Sequence, residues 1–319
     1  MTEKHKHKLS VGIVGGGTFG LGLARAVERV GNEALIFSRR SAAIPRSERV
    51  RATGELGDLA AMDLILVAVP STHVHEVARS LGKHIDGRHL VVHVSRGLVG
   101  EELRTVSEVF REETAARRLG CLAGPLHARA LLEGTPAGGI VGSSFPEVGE
   151  AVREAIAGSA MRMYQTEDLI GVELASALVG LLALALGYAQ QLGFGPGALS
   201  VMMTRGLAEA ARLGISFGAE ERTFAGMAGV GDLMSAAFGD ERPEIKLGRA
   251  LGRGATLEQA GREANAYVEG IAIARRMQRH AARRGIEIPI TDVLAEILDG
   301  QMTPEAAVAQ LMARRVHRE

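Results

Sequence analysis

Six residues, Gly15-Gly16-Gly17-Thr18-Phe19-Gly20, stand between an apolar stretch at 9–14 and a helical pattern, and they constrain this chain more than any other feature. Glycine at position 15 permits a turn too tight for a side chain. Gly17 lets a pyrophosphate approach the backbone, and Gly20 lets helix and strand pack closely. The pattern that follows places Leu23, Ala26, Val27 and Val30 on one face, and Gly31 supplies a stop. Residues 34–37 read as a second strand, which completes a strand, helix, strand unit. Glycine-rich turns also serve as plain connectors, but the complete unit around this one predicts a dinucleotide site built by Gly15, Gly17, Thr18, Phe19 and Gly20.

Further buried strands are expected at 64–69 and 90–94, separated by helical patterns at 72–81 and 101–116, with short apolar runs at 121–123, 139–141 and 161–164. This alternation predicts an α/β fold: an N-terminal Rossmann domain with a doubly wound parallel sheet and helices on both faces. Beyond it the strand patterns stop, and long helical patterns cover 169–187, 198–213 and 257–284. The expected organisation is a polar tail over 1–8, an NAD(P)-binding domain over 9–165 and an all-α C-terminal domain over 166–319. A chain of 319 residues is long enough for two such cores.

Charge excludes several other classes. Lys plus Arg and Asp plus Glu both number 37, so no net basic field recruits nucleic acid and a small-molecule partner is expected. The single cysteine, Cys121, forms neither an intramolecular disulfide nor a thiolate metal cage, so no metal is expected and a reducing cytoplasm fits. Residues 1–10 are charged and lack the apolar core of a secretory leader; His5 and His7 read as tail rather than metal site. Residues 174–204 contain no charge, but Gln190, Gln191, Gly193, Gly195, Pro196 and Gly197 interrupt them. The apolar piece before Gln190 falls short of the roughly 20 residues of a spanning helix, so a core helix followed by a turn is expected. Met202, Met203, Met227 and Met234 read as core, with a subunit interface as the alternative.

The end of the second strand reports on the ribose. An NAD site usually carries an acid there for the 2′-hydroxyl, whereas this chain carries Ser38-Arg39-Arg40. Arg39 or Arg40 can make a charge-assisted contact to a 2′-phosphate and Ser38 adds a hydroxyl, so NADP(H) is expected over NAD(H). The alternative is two exposed arginines that open a loop.

Several local signatures now add up: Val69-Pro70-Ser71, Ser95-Arg96-Gly97-Leu98, Gly124-Pro125, Thr204-Arg205-Gly206-Leu207-Ala208-Glu209, GMAGVGDL at 226–233, Val268-Glu269-Gly270 and Pro289-Ile290-Thr291. With them the chain resembles bacterial NAD(P)-dependent glycerol-3-phosphate dehydrogenases over about residues 9–313. The resemblance implies reduction of dihydroxyacetone phosphate to sn-glycerol 3-phosphate, a glycerol phospholipid precursor, by a cytoplasmic homodimer. It implies cofactor contacts at Arg96, Ala128 and Glu269, beside Ser38 and Arg39, and substrate contacts at Arg96, Gly124, Asp232 and Arg242.

The chain departs from that family at specific places. The family lysine of the motif GA(L/V)KN falls on Val179 and the asparagine after it on Gly180. The phosphate-binding Ser-Arg-Asn falls on Arg242-Pro243-Glu244 and the threonine before it on Ala236, while a second family lysine is Arg96. After Gly-Pro, the family's hydroxyl and aromatic residues become Leu126 and His127. The catalytic candidates that remain are Asp232, Arg96 and His127, with Arg129, His73, His93 and Lys246 as further polar groups. A histidine titrates near neutrality and suits proton transfer; a structural histidine is the other reading of His127, and a helix cap that of Asp232. The expected function is an NAD(P)-binding oxidoreductase of altered substrate or much reduced classical activity. The alternative is a catalytically silent NADP(H)-binding regulatory or scaffold paralogue.

Overall fold

The structure, a computed structural model, describes residues 9–158, 160–239, 242–264 and 269–314, with the side chains of 269–272 outside that description. Eight strands form one sheet: β1 (Ser10–Val14), β2 (Glu33–Phe37), β3 (Val50–Thr53), β4 (Leu64–Val67), β5 (Leu90–His93), β6 (Arg118–Ala123), β7 (Ala137–Gly142) and β8 (Met161–Thr166). Their spatial order is β3-β2-β1-β4-β5-β6-β7-β8, and every neighbouring pair is parallel except β6 with β7. Helices α1 (Thr18–Arg29), α2 (Val74–Leu81), α3 (Val106–Glu113), α4 (Ala128–Glu133) and α5 (Pro146–Ile156) flank it.

Alternation along the strands builds a separate core on each face. Val11, Ile13, Leu64 and Leu66 pack with Leu23 and Val27 of α1 and Val152 of α5. Val14, Ile65 and Val67 point the other way, onto Val74 and Leu81 of α2 and Phe110 of α3. The expected N-terminal Rossmann domain is therefore present.

Two features of the sheet differ from the sequence expectation. β3 carries only one buried residue, Val50, and Arg51 is exposed, so this edge strand has no apolar run to announce it. β7 runs antiparallel to β6, although the connection between them, residues 124–136 with the six-residue α4, is no shorter than the connection 38–49 between the parallel β2 and β3.

Beyond β8 the described chain is helical: α6 (Leu169–Gln191), α7 (Pro196–Ile215), α8 (Glu221–Ala225), a π turn at Met227–Gly231, α9 (Asp232–Phe238), α10 (Pro243–Gly252), α11 (Leu257–Ala264), α12 (Glu269–Arg284), α13 (Pro289–Leu298) and α14 (Pro304–Met312). The helical pattern expected over 257–284 is described as α11 and α12, with residues 265–268 outside the description. Gln190 and Gln191 continue α6, which gives it 23 residues, enough by length and apolarity to cross a membrane. That corrects the expectation that the apolar stretch is too short. The most apolar window of α6 is nonetheless 89% buried inside the fold, as befits a helix apolar on all sides at the centre of a helical domain.

α6 and α10 approach closely because two glycines let them. A Cβ on Gly187 would lie 2.2 Å from the Ile245 carbonyl oxygen, and one on Gly248 would lie 2.1 Å from that of Leu184. This contact fixes the start of α10, and with it Arg242 and Glu244, against the middle of α6.

Candidate functional site

The glycine loop sits where the strand order reverses, between β1 and β4, the crevice in which open α/β sheets place their ligands. Gly15 has φ +116, and a Cβ there would meet the Ala68 carbonyl oxygen at 2.3 Å. A Cβ on Gly20 would lie 1.9 Å from the Gly15 carbonyl oxygen. Gly17 differs: nothing lies within 4 Å of its added Cβ, so its outer face is open. It caps α1 without a side-chain hydrogen bond, and the first turn holds no acid. The first N–H groups and positive end of α1 are therefore available to an anion. Thr18 is exposed and Phe19 half-buried beside them.

At the end of β2, Ser38 is half-buried and its hydroxyl accepts from the Arg40 N–H at 3.2 Å. Arg39 and Arg40 are exposed. This cradle fits a dinucleotide: an open backbone face, an uncapped helix terminus and two exposed cations where a ribose would end.

The candidates Arg96, Asp232 and Arg242 are brought together by three segments that meet. Arg96, just after β5, reaches across to Asp232 at the start of α9, Nη2 to Oδ1 3.4 Å. Arg242, the residue that caps α10, places Nη1 2.9 Å from the same oxygen and also donates to the Asp232 carbonyl oxygen at 3.3 Å. Its Nε donates to Glu244 Oε2 at 3.2 Å. Asp232 is fully buried and Arg242 is 2% exposed, while Arg96 and Glu244 are partly open to solvent. Burial opposes the charge on Arg242, but Asp232 and Glu244 outweigh it and raise its pKa. Burial likewise pushes Glu244 up, and Arg242 and Arg96 more than offset this, so its carboxyl is held below the usual range. Two cations and two carboxylates thus balance within one cluster.

Asp232 is the first residue of α9 and Gly231 precedes it as the cap, so its side chain works in the ion cluster and not as a helix cap. His127, which precedes α4, hydrogen-bonds through Nε2 to the Ser235 hydroxyl. Ser235 escapes a reading of the sequence, although its spacing of three from Asp232 puts both on one face of α9. Gly124, with φ +94, lets its backbone approach the Met227 carbonyl oxygen, 3.2 Å from an added Cβ. Ala128 opens α4 and is half-buried.

Two of the positions where the chain departs from the expected motifs, Val179 and Ala236, are apolar core. Val179 is fully buried among Leu182, Leu233 and Ile290, and Ala236 among Ala183, Leu186 and Ile245. Gly180 faces Glu244, whose Oε1 would lie 3.4 Å from an added Cβ. Arg129 pairs with Glu133 on an exposed surface, and Lys246 is exposed. The side chain of Glu269 lies outside the described residues.

His93 does not join the cluster. It is buried and pairs with Glu173 of α6, Nε2 to Oε1 2.9 Å, and Glu173 also accepts from Ser107 N–H at 2.7 Å and its hydroxyl at 2.6 Å. Burial by itself would depress the imidazole, but neighbouring Cys121 and Glu173 outweigh it and raise its pKa to about 10. The unfolded value is near 6.5. A histidine with a raised folded pKa contributes stability that is full below about pH 6.5 and is lost as pH climbs toward about 10. Glu173→Gln is therefore expected to cost about 2 kcal/mol at neutral pH and to flatten that alkaline slope, as read by urea unfolding across pH; an unchanged slope would refute the coupling.

Residues 168–309 match the family pattern described as the NAD-dependent glycerol-3-phosphate dehydrogenase C-terminus, and residues 41–148 match its N-terminus. The glycerol-3-phosphate dehydrogenase [NAD(P)+] of Desulfitobacterium hafniense is 32% identical over 95% of this chain and 91% of its own length. The chain belongs to the NAD-dependent glycerol-3-phosphate dehydrogenase family. A second family member, from Salinibacter ruber, is 32% identical over 97% of this chain and 96% of its own. Among solved structures, the glycerol-3-phosphate dehydrogenase of Coxiella burnetii superposes with a TM-score of 0.88 at 28% identity, covering 96% of this chain and 99% of that one. A ketopantoate reductase from Ralstonia eutropha, at 14% identity and TM-score 0.58, shares the fold alone.

Proposed function

We propose that this family member is an NAD(P)-dependent oxidoreductase whose residues 9–165 hold the dinucleotide, NADP(H) before NAD(H), and whose residues 166–319 offer a substrate site altered from that of its relatives. The observation that carries this reading is an open glycine cradle beside a substrate side in which Val179 is apolar core and Arg96, Asp232, Arg242 and Glu244 neutralise one another. Gly15, Gly17, Thr18, Phe19 and Gly20 would hold the pyrophosphate, Ser38 and Arg39 the ribose end, and Arg96, Ala128 and Glu269 the nicotinamide side. A cytoplasmic homodimer is part of the same reading.

The bound cofactor supplies hydride to a carbonyl carbon. The chain must then steady the charge that grows on the oxygen and return a proton to it. Arg96 and Arg242 are the cations for the first task. His127, oriented by Ser235, is assigned the second. Arginine stays protonated and donates hydrogen bonds rather than protons, so it does not replace a lysine acid. Losing such an acid costs about 10² to 10⁴ in rate. The same buried Val179 also favours a second reading, a catalytically silent NADP(H)-binding regulatory or scaffold protein.

The test is titration with NADPH and NADH, followed by NADPH oxidation with dihydroxyacetone phosphate in the natural chain and in Val179→Lys. NADPH binding with turnover at least about 100-fold below an ordinary family enzyme supports the proposal, and ordinary turnover overturns it. Tight binding with no turnover of any carbonyl compound selects the silent protein. The Arg39→Ala/Arg40→Ala variant is expected to lose about tenfold of its NADPH affinity, roughly 1.4 kcal/mol, with NADH affinity unchanged. Equal losses for both nucleotides would remove the 2′-phosphate assignment.

A further inference from the structure

Resting on the oxidoreductase reading above, we infer that the altered site takes an uncharged, unphosphorylated hydroxycarbonyl compound, held by Asp232 and Arg242 and screened from phosphate esters by Glu244. Three observations carry this. First, the cluster is internally neutral: Asp232 Oδ1 is shared by Arg96 and Arg242, and Glu244 takes the remaining Arg242 Nε–H. A dianionic phosphate would meet two cations already paired with carboxylates and would add two negative charges to a balanced cluster.

Second, two buried polar atoms of this cluster, Asp232 Oδ2 and Arg242 Nη2, lack a hydrogen-bond partner among the described residues. One is an acceptor and the other a donor, and both belong to side chains more than nine-tenths buried. A hydroxyl donates to the first and accepts from the second, and a carbonyl oxygen accepts from the second; neither carries charge into the site. Phosphate oxygens, which only accept, satisfy Arg242 Nη2 and leave Asp232 Oδ2 unmet.

Third, Glu244 lies against α6 at Gly180 and its side chain is a quarter exposed, which sets a carboxylate at the edge of the cluster. A carboxylate accepts hydrogen bonds from hydroxyls and repels phosphate oxygens. Arg96, also partly exposed, sits opposite in charge on the same Asp232, which keeps the entrance neutral. The natural test molecules are dihydroxyacetone and its phosphate, which differ by the phosphoryl group alone.

The NADPH-loaded protein is titrated with dihydroxyacetone and with dihydroxyacetone phosphate, and binding is read by saturation-transfer NMR. The expected result is at least about tenfold tighter binding of dihydroxyacetone. Glu244→Gln is expected to raise affinity for the phosphate ester about tenfold. Equal or tighter binding of the phosphate ester by the natural chain overturns the inference, whether or not the variant folds, as does no binding of dihydroxyacetone. An unchanged preference in a folded Glu244→Gln overturns the role of Glu244. NADPH titration separates the two levels: a chain that binds NADPH yet prefers the phosphate ester sinks this inference alone, and a chain that binds no NADPH sinks the reading beneath it as well.

Discussion

Arg242→Met is expected to destabilise the folded chain by about 3–5 kcal/mol, the largest single effect at the site. Asp232 is fully buried, and its carboxylate holds Arg242 at 2.9 Å and Arg96 at 3.4 Å. Methionine fills the space of the arginine stem but returns no charge, so the shorter of the two ion pairs disappears from a site without solvent. The Asp232 carbonyl oxygen and Glu244 lose donors at the same time. Coulomb attraction in this cluster offsets the desolvation of its members, so removal of one member leaves the cost without the compensation. The double variant Asp232→Leu/Arg242→Met is expected to recover a large part of the loss, because two buried charges leave together. Urea unfolding with an unchanged m-value reads both effects. An Arg242→Met chain within about 1 kcal/mol of the natural one would show that the pair is not coupled as described.

Gly17→Asp is expected to act with opposite signs on folding and on binding. Gly17 caps α1 with extended backbone and no side-chain hydrogen bond, and an added Cβ meets nothing. Aspartate there can accept from the first-turn N–H groups and face the positive helix end, which stabilises the helix by about 0.3–1 kcal/mol. The same carboxylate occupies the approach of the pyrophosphate. Like charges about 4–5 Å apart near a protein surface repel by roughly 3–4 kcal/mol, so NADPH affinity is expected to fall more than about 100-fold. Thermal unfolding without nucleotide and a fluorescence titration with NADPH check the two signs separately. Unchanged affinity in a chain of raised stability would mean that the nucleotide does not use this cradle.

The pairing of His93 with Glu173 shows why such sites resist prediction. The two residues stand 80 apart in the chain, on β5 and α6, and meet only because the helical domain lays its first helix against the end of the sheet. Nothing local to His93 distinguishes it from a cleft histidine. Arg96 and Asp232 are 136 apart and meet for the same kind of reason.

What the sequence by itself determines is the local machinery. Gly15 and Gly20 specify a turn that side chains would block, Gly17 leaves its outer face open, and the periods of two and 3.6 specify the strands and helices around them. Those constraints act between neighbours in the chain, so they are legible without a fold. The absence of a titratable group at Val179 is legible in the same way. The tertiary structure alone decides the rest. It makes β3 an edge strand with little apolar signal, sets β7 antiparallel to β6, and fixes Arg242 on Asp232 through the close approach of α6 and α10. Burial and ion pairing depend on which distant segments share a small volume, and a pattern along one dimension holds no record of that distance.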